Sequence, residues 1–162
     1  MPTSVTRLEE LRQDVSQLAD QTSSAQELMQ AMVKLLHDRV LKYNWVGFYM
    51  LEPGANPPML VLGAFEGAMT PHTRIPLNQG ICGAAASSGQ TVVVDDVNKD
   101  PRYLACSLET KSEIVVPVFV RGRVVGELDI DSHFPSAFTT EHQEFVKLCA
   151  QLVGSKLEQA SA

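Results

Sequence analysis

Basic clusters are missing from this chain, and so is any long apolar run. Thirteen Lys and Arg stand against 19 Asp and Glu, for a net charge of −6. A surface of that sign offers no electrostatic footprint for nucleic acid or an anionic membrane. No apolar stretch approaches the roughly 18 residues that a membrane span needs. The opening Met1-Pro-Thr-Ser-Val-Thr-Arg-Leu-Glu-Glu10 lacks the basic and apolar regions of a signal peptide. The protein is therefore expected to be cytoplasmic, with a small molecule or another protein as its partner.

Cysteine is scarce as well. Cys82, Cys106 and Cys149 are too few and too scattered for a disulfide scaffold, and in a reducing compartment a disulfide between any two would be transient and catalytic. There is no Cys-x-x-Cys and no His pair at ligand spacing, so no zinc site is expected, and no metal or cofactor is implied. His37, His72, His133 and His142 are dispersed, and Ser, His and Asp fall into no triad spacing. Gly80-x-x-Gly83 is too short for a phosphate loop, with no Lys following it. Repeats, low-complexity segments and linkers are likewise absent.

What remains is an ordinary globular composition: 162 residues, 44% hydrophobic and 20% charged, enough for one domain with its own core. Val5, Leu8, Leu11, Val15 and Leu18 recur at helical spacing and predict a first helix over about 5–20. Ser24-x-x-Glu27 reads as a capping box opening a second helix that carries Leu28, Met32, Leu35, Leu36 and Val40. Residues 43–51, rich in aromatic and β-branched side chains, pair with 59–65 across a Pro-rich tip. A loop is expected over 66–76, a small-residue helix over 78–89 ended by Gly89, a strand over 91–94, and irregular chain with a helical turn over 95–106. Two strands follow between Glu113 and Asp131, then a loop, and a last helix capped at Thr140-x-x-Gln143. Phe145, Leu148, Cys149, Leu152 and Val153 form that helix's apolar stripe. The order predicts an α+β fold with a largely antiparallel sheet, the N- and C-terminal helices on one face and pocket-forming loops on the other.

The last strand pair carries the most chemistry. Alternation sets Ile114, Val116 and Val118 on one face of the first strand and Glu113, Val115 and Pro117 on the other. In the second, Gly126, Leu128 and Ile130 oppose Glu127, Asp129 and Asp131. A regular two-residue turn at Arg121-Gly122 would set the aliphatic face of one strand beside the acids of the other. Burying apolar sides together requires a longer turn or a bulge, for which Pro117 is the candidate. With that correction Glu113, Asp129 and Asp131 share a face, raise one another's pKa by repulsion, and can divide between a proton donor and a binder of an ammonium. The alternative is a solvated acidic edge strand. Trp45 and Tyr49 could wall such a pocket or serve as plain core.

Each cysteine reads differently. Cys149 is a small hydrophobe on a helix stripe. Cys82 lies near a helix N-terminus, where the dipole is expected to lower a thiol pKa. Cys106 lies in a loop, where function often resides.

Together these residues resemble a known family. Tyr43-Asn-Trp-Val-Gly-Phe-Tyr49, Arg74-Ile-Pro76, Gly80-Ile-Cys-Gly-Ala-Ala85, Asp96-Val97, Ala105-Cys106, Ser112-Glu-Ile-Val-Val-Pro117 and Gly126-x-Leu-Asp-Ile-Asp-Ser132 resemble the free methionine-(R)-sulfoxide reductases, which are single GAF domains. The resemblance runs from about 43 to 138. It implies one GAF domain over 1–162, with N-terminal helices over 1–42, sheet and active-site loops over 43–138, and a closing helix over 139–158. It implies that Cys106 is the catalytic cysteine and Cys82 the resolving one. Glu113, Asp129 and Asp131 would bind and activate the free amino acid, with Trp45 beside its thioether methyl. The reaction implied passes through a Cys106 sulfenic acid and a Cys82–Cys106 disulfide, reduced by a thioredoxin-like dithiol. Two departures stand out: His72 occupies the place of a third cysteine that many members carry, and Ser107 follows Cys106 where many have Asp. Resolution must then fall to Cys82 or to an external thiol.

Two other readings compete. One is a non-catalytic GAF sensor of a small ligand such as a cyclic nucleotide, against which Asn98-Lys99 is only a fragment of the cyclic-nucleotide signature. The other is a helix-mediated assembly module, for which a homodimer through the first helix would be the check.

Overall fold

Residues 4–54, 56–103 and 108–160 are described by the computed structural model. Helix α1 (Ser4–Gln21) turns Leu8, Leu11 and Val15 inward, as their spacing requires. Helix α2 (Ala25–Arg39) starts at Ser24, whose hydroxyl accepts the Glu27 amide at 3.1 Å. The Glu27 carboxylate reaches back to the amide and hydroxyl of Ser23 rather than to Ser24. Such a cap is worth about 1 kcal/mol. Leu28, Met32 and Leu36 of α2 are completely buried, each contributing about 1.5–3 kcal/mol of burial.

Six strands form one sheet: β1 (Trp45–Leu51), β2 (Met59–Glu66), β3 (Arg74–Pro76), β4 (Val92–Val94), β5 (Ser112–Val120) and β6 (Arg123–Ser132). Their spatial order is β3-β2-β1-β6-β5-β4, with every neighbour antiparallel. Helix α3 (Gly80–Ser88) precedes β4 and ends on Gly89 at φ 68°, and a 3₁₀ turn (Val97–Lys99) follows that strand. Helix α4 (Thr140–Ala160) closes the fold. Among the described residues no helix is long and apolar enough to cross a membrane.

Each sheet face has its own core. On one, α1, α2 and α4 pack against Val46, Phe48, Ile114, Val116, Val118, Leu128 and Ile130. Phe145, Cys149 and Val153 of α4 are buried there as the stripe predicts, whereas Leu148 and Leu152 are only half-buried. On the other face, α3 and the loops enclose Trp45, Tyr49, Leu60, Ile75, Ile81, Cys82 and Val115. The structure thus has the α+β arrangement expected, with α3 added on the loop side.

Three expectations need correction. Residues 74–76, read as loop, form the edge strand β3 on β2, with Leu60 opposite Ile75; three residues are too few for alternation to register. The cap of α4 sits one residue earlier, where the Thr139 hydroxyl accepts the His142 amide at 3.5 Å. The β5–β6 hairpin keeps its two-residue turn, Arg121 and Gly122 both taking positive φ (51° and 78°), as a type I′ turn demands. The required bulge is present, but in β6 rather than at Pro117. Phe119 faces Val124 and Val118 faces Gly126, so Val125 is the extra residue. Pro117 pairs regularly with Glu127. The bulge brings Val116 opposite Leu128 and Ile114 opposite Ile130, which buries the aliphatic faces together.

Candidate active site

The bulge fixes where the acids go. β6 lies between β1 and β5, so residues opposite one another form three rows on the α3 face: Trp45–Asp131–Glu113, Gly47–Asp129–Val115 and Tyr49–Glu127–Pro117. The solvated-edge alternative fails, because β6 is an interior strand and Glu113, Glu127, Asp129 and Asp131 are all buried, with at most 5% exposure. Gly47 gives the middle row its space. A Cβ there would collide with Cη2 of Trp45 and lie 2.7 Å from Cζ3, so the indole folds across the glycine beside Asp129. Phe65 stacks on that indole at 5.8 Å, Tyr49 lies 6.2 Å from it, and its Nε1 donates to the Ala68 carbonyl at 3.0 Å. The Tyr49 hydroxyl donates to the His72 carbonyl at 2.6 Å. Both aromatic residues therefore hold the 67–73 segment over the acids.

Helix α3 supplies the thiol. It packs closely on the chain before it because residue 83 has no side chain; a Cβ at Gly83 would sit 2.8 Å from the Leu77 carbonyl oxygen. That approach turns Cys82 toward the sheet, and its Sγ donates to Asp129 Oδ2 at 3.3 Å. Cys82, Glu113 and Asp129 have donor atoms within 4.8 Å of one another, close enough to bracket a small cation, an organic ammonium as readily as a metal ion. A cavity of about 20 Å³ adjoins them, lined also by Tyr49, His72 and Ile81. That is room for about one water.

Electrostatics in this layer are set first by burial. Loss of hydration raises all four carboxyls, and repulsion is the smaller cause for Glu113 and Asp131, the reverse of the weighting expected from sequence. Glu113 donates toward both Asp129 and Asp131, and Asp131 toward Asp129. Asp129 accepts from all its neighbours, including Cys82, and is raised less than Glu113 and Asp131, which burial pushes well above the usual carboxylate range. Cys82 shows the largest departure from expectation. Burial pushes its thiol well up, and Asp129, Glu127 and Glu113 add to this. A helix dipole worth about 0.3–1 kcal/mol is outweighed by carboxylates in a dry site.

The profile of the GAF domain matches residues 24–157. The free methionine-R-sulfoxide reductase of Escherichia coli K12 is 40% identical over 119 residues, covering 73% of this chain and 69% of that protein. The chain belongs to the free methionine-R-sulfoxide reductase family of GAF domains. Solved structures agree. The free methionine-R-sulfoxide reductase of Neisseria meningitidis, in complex with its substrate, superposes with a TM-score of 0.90 at 29% identity, covering 100% of this chain and 96% of its own. The substrate complex of the Staphylococcus aureus fRMsr gives 0.83 at 33% identity, covering 97% of each chain.

In this GAF domain Cys82, Trp45, Tyr49, Glu113, Asp129 and Asp131 all lie on the α3 face of the sheet. Cys106 and its neighbours 104, 105 and 107 lie outside the described residues. Cys149 sits on the opposite face of the sheet, fully buried in the helix-side core, where desolvation raises its thiol. Glu127 is the site residue that sequence reasoning misses. It is completely buried, and among the described residues neither carboxylate oxygen has a hydrogen bond of good geometry, the Cys82 thiol being the neighbour that opposes its raised pKa. Its alternation with Asp129 and Asp131 is the one local signal that points to it.

Proposed function

We propose that this GAF domain reduces free methionine-(R)-sulfoxide to methionine. The observation that carries the reading is the layer of unlike buried acids around one thiol: Asp129 accepts the Cys82 thiol at 3.3 Å and stays nearer the ordinary carboxylate range, while burial beside two other acids pushes Glu113 well above it. A free amino acid sulfoxide needs both, an anion for its α-ammonium and a proton for its departing oxygen. A peptide-bound residue has no ammonium to offer. Asp129 and Asp131 would pair with the ammonium, Glu113 would protonate the sulfoxide oxygen, and Trp45 would flank the thioether methyl. Tyr49, with its hydroxyl engaged on His72, serves as a wall. The cavity is too small for an amino acid as it stands, so binding requires its walls to part.

The chemistry balances with thiols alone. The Cys106 sulfur bonds to the sulfoxide sulfur, the S–O bond breaks as the oxygen is protonated and leaves as water, and a water then attacks the Cys106 sulfur, breaking its bond to the methionine sulfur, so that methionine leaves and the Cys106 sulfur is oxidised to a sulfenic acid. Cys82 then forms an S–S bond to that sulfur and water departs. A thioredoxin-like dithiol restores both thiols by exchange. A stereospecific assay tests the substrate. Methionine should form from the free R epimer, with little turnover of the S epimer or of peptide-bound sulfoxide. Equal activity on peptide sulfoxide would defeat the ammonium argument, and calorimetric binding of a cyclic nucleotide in place of methionine sulfoxide would favour the sensor.

A further inference from the structure

Cys82 from α3, Glu113 from β5 and Asp129 from β6 come from three separate elements, so no spacing in the sequence announces what they form together. Their donor atoms lie within 4.8 Å of one another, and the Cys82 Sγ to Asp129 Oδ2 edge is 3.3 Å. A tetrahedral zinc ion, with bonds of about 2.3 Å to sulfur and about 2.0–2.2 Å to carboxylate oxygen, sets its ligands about 3.3–3.7 Å apart. One edge already has that length, and the other two have little further to close. The cavity of about 20 Å³ that all three residues line has room for a water as fourth ligand.

The same layer lacks what would satisfy and neutralise it. Asp129 and Asp131 are each 4% exposed, and Oδ1 of both has no hydrogen-bond partner among the described residues; buried acceptors are seldom left so. The acids' neighbours in the three rows are Trp45, Gly47, Tyr49, Val115 and Pro117, and α3 adds Ile81. Among the described residues no Lys, Arg or His forms an ion pair with any of these acids. A buried anionic layer with open acceptor oxygens and no basic side chain is a place for a cation.

We propose that Cys82, Glu113 and Asp129 form a zinc site, with water as the fourth ligand, whose occupation reversibly blocks the pocket. The donor set picks the ion. A thiolate disfavours Mg²⁺ and Ca²⁺, two carboxylates disfavour Cu⁺, and the mixture suits borderline Zn²⁺. Binding releases to solvent the thiol proton and any protons on the two carboxyls. Binding rests on this geometry alone; its effect on turnover rests on the reductase reading, in which zinc takes the carboxylate meant for the ammonium, the Glu113 carboxyl and the Cys82 thiol together.

Binding is read without turnover. Co²⁺ added to reduced protein in a Cys106→Ser, Cys149→Ser background should give a thiolate-to-cobalt charge-transfer band that saturates at one equivalent. Zn²⁺ should abolish the band, and a large excess of Mg²⁺ should not. Cys82→Ala in that background should remove it. Glu113→Gln and Asp129→Asn, with circular dichroism showing the fold retained, should each weaken Zn²⁺ in competition with a chromophoric chelator. The loss should be at least about ten- to a hundred-fold, which even an outer-shell partner brings. No band in the background protein, a band that survives Cys82→Ala, or Zn²⁺ affinity unmoved by both carboxamide variants would overturn the site. In the wild-type protein Zn²⁺ should stop methionine formation and a chelator restore it, and full turnover at saturating Zn²⁺ would overturn the block. Absence of methionine without zinc, with the cobalt band intact, would sink only the reductase reading.

Discussion

Replacing Glu127 by Gln should stabilise the fold at neutral pH. Burial holds the Glu127 carboxyl well above its ordinary range, Asp129 adds to this, and Cys82 partly opposes it. The unfolded chain releases the same proton near its ordinary value of about 4.3. Between that value and the raised one the folded state binds more protons than the unfolded state. Stability therefore falls as pH rises across that window, by up to about 1.4 kcal/mol per pH unit for one whole proton. Below the window both states are protonated and the effect vanishes; above it the cost is fully present. Gln keeps the shape and the unpaired polarity but cannot ionise. Urea denaturation of reduced protein from about pH 4.5 to 8 should show wild type and Glu127→Gln together at the acid end and diverging upward, the variant more stable. A residual slope should persist from Glu113, Asp129 and Asp131, which burial also raises. Parallel curves, or a variant less stable than wild type at the alkaline end, would refute the claim that burial makes the folded protein hold this proton more tightly than the unfolded chain does.

Other consequences concern the substrate layer. Gly47→Ala would drive a methyl into the Trp45 ring; displacing the indole at a cost of about 1–3 kcal/mol should raise KM about 10- to 100-fold with the fold retained, as steady-state kinetics beside a thermal melt would show. Glu113→Gln should lower kcat by about 10²–10⁴ with a smaller change in KM. Asp129→Asn should weaken binding of the free amino acid, measured by calorimetry, more than it changes the chemistry; the opposite assignment of effects would exchange the two roles.

Sequence periodicity is enough for the helices and for the shared acidic face, because each rests on local spacing: Leu28, Met32 and Leu36 on one helix side, Asp129 and Asp131 at i and i+2. It is also enough to demand a bulge, since the aliphatic faces of β5 and β6 could not otherwise meet. Its location is not legible. Pro117 lacks an amide hydrogen yet simply pairs with Glu127, and the extra residue Val125 looks like any other strand valine. The environment of Cys82 is hidden for another reason: the thiol meets Asp129 across 47 residues of chain, and local sequence reports only the helix end, whose field the carboxylates overwhelm. Glu127 is visible in the alternation, yet only its place between Tyr49 and Pro117 beneath α3 reveals that it is dry.

The most direct test counts methionine from a single turnover. Reduced protein mixed with one equivalent of free methionine-(R)-sulfoxide should release about one equivalent of methionine and lose two hydrogens by intact mass, in proportion to the methionine formed. Cys106→Ser should release none, and Cys82→Ser should release methionine without the loss of two hydrogens. Undiminished turnover in Cys106→Ser, or no methionine from the wild-type protein, would contradict the thiol mechanism outright.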